Sequence, residues 1–125
     1  MEKDALKKQV GGEHYKEMNV QPIELIASLD LNFFQGNVVK YLSRRKGDDD
    51  ITDWQKALHY CELAIKLDRK KNQLIETAIK DEIRAYAESN DLGFTKEFII
   101  KSVCMKRYRK TSKFMMVVKK IKRKK

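Results

Sequence analysis

Apolar residues return every three or four positions along most of this chain, and the intervals where they do not return divide it into elements. The stretch beginning at Pro22, PIELIASL, predicts a short helix with proline at its first position and Ile23, Ile26, Ala27 and Leu29 on a buried face. From LNFFQG onward, Leu31, Phe34, Val38, Leu42 and Arg45 step by three or four, which predicts a helix of about four turns. Gly47 is placed to end it with a left-handed cap, and Asp48, Asp49 and Asp50 favour the positive end of the next helix. Thr52 to Gln55 fits the capping box S/T-x-x-E/Q, and Trp54, Ala57, Leu58, Cys61, Ala64 and Ile65 continue at helical spacing. The period thins through DRKKNQ and resumes with Leu74, Ile75, Ala78, Ile79, Ile83 and Tyr86, so residues 52–90 are one long helix or two helices broken near Asn72. SNDLGFT marks a boundary, with Gly93 placed to cap and Thr95 to start the helix of KEFIIKSVCMKRYRK. From Thr111 the run FMMVV suits a basic helix or a strand equally.

Upstream of Pro22, Gly11 and Gly12 break any helix begun at the N-terminus, and GEHYKEMNVQ reads as extended or looped. The expectation is a mostly α protein: a small helical domain with a short extended N-terminal segment and a basic C-terminal helical extension. Its boundaries fall at 1–12 for an N-terminal arm, 13–93 for the helical domain and 94–125 for the extension. A chain of 125 residues suffices for one core and not for two of ordinary size. Its longest apolar run, Phe114 to Val118, is far below the roughly 18–20 residues that cross a bilayer, and the N-terminus lacks an apolar signal core. No membrane role and a cytoplasmic setting are therefore expected. Cys61 and Cys104 have no second Cys or His at metal-ligand spacing, which predicts buried or half-buried free thiols and no metal.

Charge changes this picture. Residues 1–93 hold 15 Lys+Arg against 17 Asp+Glu, a balance of −2, whereas residues 94–125 hold 13 against the single Glu97, a balance of +12. All of the net +10 lies in the last third. There Arg107, Arg109, Lys110, Lys113, Lys119, Lys120, Lys122 and Arg123 are interleaved with Tyr108 and Phe114. Such a segment binds DNA or RNA by counterion release, largely without sequence preference, or serves as a solubilising tail.

A second, local group of cations sits in GNVVKYLSRRK. Asn37, Lys40, Tyr41 and Arg44 fall at i, i+3, i+4 and i+7, and all four side chains can donate hydrogen bonds to an oxyanion. Two readings stand: a solvated outer face whose cations favour a helix C-terminus, or a surface that holds phosphate. Gly36 within the helix costs on the order of 1 kcal/mol relative to alanine and signals close packing or close approach. His14 and Tyr15 precede the first helix, Lys56, Asp53 and Tyr60 share a face of the capped helix, and His59 faces Glu62 and Lys66 in a solvated pattern. Glycine-rich phosphate loops, nucleophile elbows and zinc motifs are absent.

GGEHY, the QP pair, FQGNVVKYLSRRKG and DWQKALHYCELAI together resemble the small bacteriophage family called SaV-like, over about residues 10–68. The resemblance falls on His14, Tyr15, Gln21, Pro22, Gly36, Asn37, Lys40, Tyr41, Arg44, Lys56, Ala57 and Tyr60, and Arg45 stands where the family has a small residue. It implies a phage-encoded, nucleotide-binding protein of an infected bacterial cell, with His14, Tyr15, Asn37, Lys40, Tyr41, Arg44 and Lys56 as the nucleotide and phosphate site. It further implies a deoxynucleoside monophosphate kinase using a nucleoside triphosphate donor, with magnesium dependence left open. It also implies a host defence protein as partner; a homo-oligomer is expected on separate grounds, because a cationic site on a helix pair needs a neighbouring subunit to close a pocket. The alternative is a non-enzymatic nucleic-acid-binding protein that also engages such a defence factor.

Overall fold

The computed structural model describes residues 4–10, 17–44 and 51–123. A 3-10 turn at Ala5–Lys7 precedes six helices: α1 Pro22–Leu29, α2 Phe33–Ser43, α3 Ile51–Leu67, α4 Glu76–Ser89, α5 Gly93–Cys104 and α6 Tyr108–Arg123. The protein is all-α, with no strand among the described residues. The two alternatives that periodicity left open are thereby decided. Residues 111–123 continue a helix, and the chain breaks between Leu67 and Glu76. The break follows from side chains that offer the backbone other partners. Asp68 accepts from Lys70 N–H at 3.1 Å, and Asn72 both accepts from Leu74 N–H and donates to Leu74 C=O at 3.0 Å.

Helix α2 is the hub, packed against α1, α3 and α5, while α6 lies on α3 and α4 lies on α5. Val38, Val39 and Leu42 of α2 are fully buried. On α3 the small side chains Ala57, Cys61 and Ala64 form a stripe along one face, which lets α6 approach closely with Tyr108, Thr111, Ser112 and Met115. The segment from residue 94, set apart in the sequence by charge, contributes Ile99, Ile100, Val103, Cys104, Tyr108 and Met115 to the same core. No helix among the described residues is long and apolar enough to cross a membrane.

Several local expectations are corrected. In α1 the buried residues are Pro22, Leu25 and Leu29; Ile23 is 54% exposed, Ala27 is exposed, and Ile26 is half-buried. An eight-residue helix carries two adjacent apolar stripes, and packing onto α2 selects the one through Leu25 and Leu29. Helix α2 ends at Ser43, with Arg44 in an extended conformation, so it stops before Gly47; that glycine and Asp48 to Asp50 lie outside the described residues. Thr52 stands inside α3, which begins at Ile51. The left-handed residue after α4 is Asp91, at φ 53°, and α5 begins at Gly93 itself, at φ 84°, with Thr95 already inside it.

Polar side chains bind these elements together in places no periodicity reveals. Gln35, buried in α2, donates to Val103 C=O at 3.1 Å and Cys104 C=O at 3.0 Å, satisfying carbonyls at the end of α5. Its own carbonyl oxygen accepts from Asn32 N–H, closing a reciprocal cap on α2. Ser43 and Tyr86 share a buried hydroxyl–hydroxyl hydrogen bond of 2.7 Å between α2 and α4. Asn90 pairs with both backbone groups of Val20, at 3.2 Å and 2.7 Å, which ties the segment before α1 to the end of α4.

Candidate functional site

The end of α2 and the first half of α3 meet at Tyr41. Its ring, on α2, stacks on that of Tyr60, on α3, with centroids 6.0 Å apart and planes within 15°, where the two helices pack together. Three cations surround that ring: Lys40 Nζ at 4.9 Å from the centroid, Lys56 Nζ at 5.3 Å and Arg44 Cζ at 5.9 Å. Each is within the range where the ring quadrupole attracts a cation. Phe33, 68% exposed, stands edge-on to Tyr60 at 5.7 Å and extends the aromatic surface.

The three cations are not equivalent. Arg44 has left the helix and turns inward, its Nη1 3.4 Å from Asp53 Oδ1, and both side chains are largely buried. Asp53 occupies the first turn of α3, where the helix dipole also favours a carboxylate. This ion pair neutralises Arg44 and ties the end of α2 to the first turn of α3. Lys40 and Lys56, by contrast, form no ion pair with any described residue. Asn37 donates to Phe33 C=O at 2.8 Å, which turns its amide along its own helix.

Lys40 also lines a cavity of about 310 Å³, together with Lys8, Val10, Gln21, Pro22, Ile23 and Ile26. Residues of the N-terminal arm close it, and a hydrogen bond from the Gln21 side chain to Leu6 C=O holds the arm there. The walls are mainly apolar with two ammonium groups, and the volume is that of a small-molecule site. Gly36 has a packing reason: a Cβ there would lie 3.3 Å from Ile26 Cδ1, at the α1–α2 contact beside this cavity. The structure thus brings Lys40, Tyr41, Arg44, Lys56, Tyr60, Gln21 and Pro22 into one neighbourhood. His14, Tyr15 and Arg45 lie outside the described residues. His59 is exposed and 6.2 Å from Tyr60, ring to ring.

A second polar cluster, which periodicity does not signal, lies where α3 ends and the α5–α6 turn begins. Asp68 Oδ2 accepts from Tyr108 O–H at 2.7 Å and Asn32 Nδ2 at 3.1 Å, and pairs with Lys106 Nζ at 3.2 Å. Lys106, left-handed at φ 58°, also donates to Lys70 C=O at 2.9 Å. Burial pushes the Asp68 carboxyl up, but the donors Tyr108, Lys70 N–H and Lys106 together outweigh it and hold the group below its ordinary value of 3.8. Burial, then the hydrogen bond to Asp68, raise the Tyr108 phenol. Cavities of about 310 and 380 Å³ flank this cluster; Asp68, Lys106 and Tyr108 are paired with one another, whereas Arg109 and Lys110 on the wall of the first and Lys71 on that of the second form no ion pair with described residues.

The C-terminal cations divide in the same way. Arg107 pairs with Glu76 at 3.1 Å, as does Lys101 at 3.2 Å. Arg109, Lys110, Lys113 and Lys120 are exposed on α6, and Lys119 is half-buried. Lys122 and Arg123 close the helix, and their side chains lie outside the described set. Cys61 and Cys104 are buried free thiols, each pushed up to about 12 chiefly by burial, so both stay protonated at neutral pH. No group of His, Cys, Asp and Glu among the described residues is arranged to hold a metal ion.

The region that builds the Tyr41 site is also the region that a family model matches. Residues 9–62 match the model of DUF3310, a protein family of unknown function. The matched span runs through α1, α2 and most of α3, and so holds Gln21, Lys40, Tyr41, Arg44, Asp53, Lys56 and Tyr60. It stops before Asp68 and the basic helices. No curated protein and no solved structure matches the chain.

Proposed function

We propose that the protein binds a nucleoside phosphate between α2 and α3, with the phosphate on Lys40 and Lys56 and the base near the aromatic surface or the adjoining cavity. The observation that carries this reading is the pair of ammonium groups brought from two helices to one tyrosine ring, neither engaged by a described carboxylate. Two fixed cations about a dianionic phosphate supply the positioning and charge neutralisation that phosphate binding and phosphoryl transfer both require. Arg44 acts on the site through Asp53, by setting how α3 is held against α2, and less as a phosphate ligand than its place in the sequence suggests.

The SaV-like resemblance supports a finer version, phosphoryl transfer from a nucleoside triphosphate to a deoxynucleoside monophosphate. Asp53 adjoins this site and pairs with Arg44 through Oδ1. The test is calorimetric titration with each deoxynucleoside monophosphate, a triphosphate and inorganic phosphate, alongside a transfer assay on the same mixtures. A nucleotide is expected to bind more tightly than inorganic phosphate, and Lys40→Ala and Lys56→Ala each to weaken it roughly tenfold, the range of one charge-assisted contact. A wild-type protein that binds no nucleotide ends the proposal. One that binds but transfers nothing with any donor, with magnesium present or absent, ends only the kinase version.

A further inference from the structure

A different surface of the molecule carries its excess charge. Helices α5 and α6 are joined by the short turn 105–107, and Phe98 meets Phe114 across the pair with centroids 4.9 Å apart. Their outer face shows two features together. Arg109, Lys110, Lys113 and Lys120 are exposed and form no ion pair with described residues, and Glu97, the one acid in residues 94–125, is engaged by Arg84 at 4.0 Å. Beside them, Phe94 is 89% exposed and Phe98, one turn further along α5, is 40% exposed with Lys110 Nζ 5.8 Å from its ring.

Phe94 and Phe98, one helical turn apart, give this charged face an exposed apolar patch of the kind that marks an interaction site when it is rimmed by polar residues. The exposed, unengaged cations of α6 favour a polyanionic occupant, and the two open rings favour one with flat apolar faces. Duplex nucleic acid meets the first of these and hides its base faces. Single strands meet both, with phosphates tracking the cations and unstacked bases lying on the rings. We infer that the outer face of α5 and α6 docks single-stranded nucleic acid, phosphates on Arg109, Lys110, Lys113 and Lys120 and bases against Phe94 and Phe98. This surface is separate from the Tyr41 site, and neither proposal depends on the other.

The test is fluorescence anisotropy of the full chain with a labelled oligodeoxythymidine, its duplex, and vesicles containing phosphatidylglycerol. Phe94→Ala changes an exposed side chain and is expected to leave folding intact. It should weaken the single strand roughly tenfold, the scale of one stacked base, and leave duplex binding unchanged. Lys113→Ala should lower the log–log salt slope for the single strand by about 0.7. Lys40→Ala should change neither. Equal loss on duplex and single strand after Phe94→Ala overturns the stacking role. Vesicle binding as tight as strand binding and equally sensitive to Phe94 overturns the choice of nucleic acid. Strand binding lost in Lys40→Ala and kept in Phe94→Ala places the contact at the other site and overturns the inference.

Discussion

Two regions of this protein are built from the same parts and come out differently. At the end of α3, a tyrosine, an aspartate and a lysine close on one another: Tyr108 gives its hydroxyl to Asp68, and Lys106 gives its charge. Between α2 and α3, Tyr41 presents its ring instead of its hydroxyl, Asp53 pairs with Arg44, and two lysines meet no described carboxylate. The first arrangement satisfies itself and holds three segments of chain in place. The second has positive charge that nothing described in the fold neutralises, and that surplus is what makes it a site. Polar residues gathered in one place are therefore a poor indicator of function until their mutual hydrogen bonds and ion pairs have been subtracted.

The contrast makes measurable demands. The largest effect is expected at Asp68, whose side chain is 5% exposed: Asp68→Ala leaves Lys106 and Tyr108 without their acceptor and should lower unfolding stability by about 3 kcal/mol in urea titrations at neutral pH. Because its folded value is depressed, the stabilisation from the Asp68 carboxylate is complete above the unfolded value of 3.8 and is lost as pH falls below it. The wild type should accordingly lose stability more steeply than Asp68→Asn in that acid range. Equal slopes would mean the cluster contributes nothing to folding.

Next comes Arg44→Ala, which strands the buried Asp53 carboxylate and should cost about 2 kcal/mol. The double variant Arg44→Ala/Asp53→Ala should recover part of that loss, and strict additivity of the two would deny the pair. The two tyrosines then separate the regions directly. Tyr108→Phe should cost about 1 kcal/mol through its lost hydrogen bond, whereas Tyr41→Phe, which removes a hydroxyl with no described partner and keeps the ring, should fall within about 0.5 kcal/mol of the wild type. Smallest in stability is Lys56→Ala, also within about 0.5 kcal/mol, although it should weaken nucleotide binding roughly tenfold by calorimetry. A stability loss there matching that of Arg44→Ala would erase the distinction between the engaged and the unengaged cation.

Much of the architecture was readable along the chain because its causes are local. Pro22 at the start of α1, the Trp54 to Ala64 stripe of α3 and the boundary at SNDLGFT all rest on spacing and residue chemistry within a few positions. Choices between equal local options were not readable. The run 111–118 suits helix or strand, and docking on the small residues of α3 makes it helix. The break after Leu67 depends on Asp68 and Asn72 side chains turning back on their own backbone. Within the site, the common face of Asn37, Lys40 and Tyr41 followed from helix geometry. The end of α2 at Ser43 removed Arg44 from that face, and its partner Asp53 lies on the next helix.

By itself the sequence determined that this is a chain of amphipathic helices, that the first of them begins at Pro22 and that its net positive charge is confined to the last third. Tertiary structure alone decided which cations are neutralised. Arg44 meets Asp53, Lys106 meets Asp68 and Arg107 meets Glu76, all across helix boundaries, while Lys40, Lys56 and the outer cations of α6 meet no described carboxylate. The physical reason is that a helix fixes the direction in which a side chain leaves its axis, a property of neighbouring residues. Whether an opposite charge waits within a few ångströms depends on how distant segments pack, and Coulomb attraction at that range is what separates a structural ion pair from a cation available to a ligand.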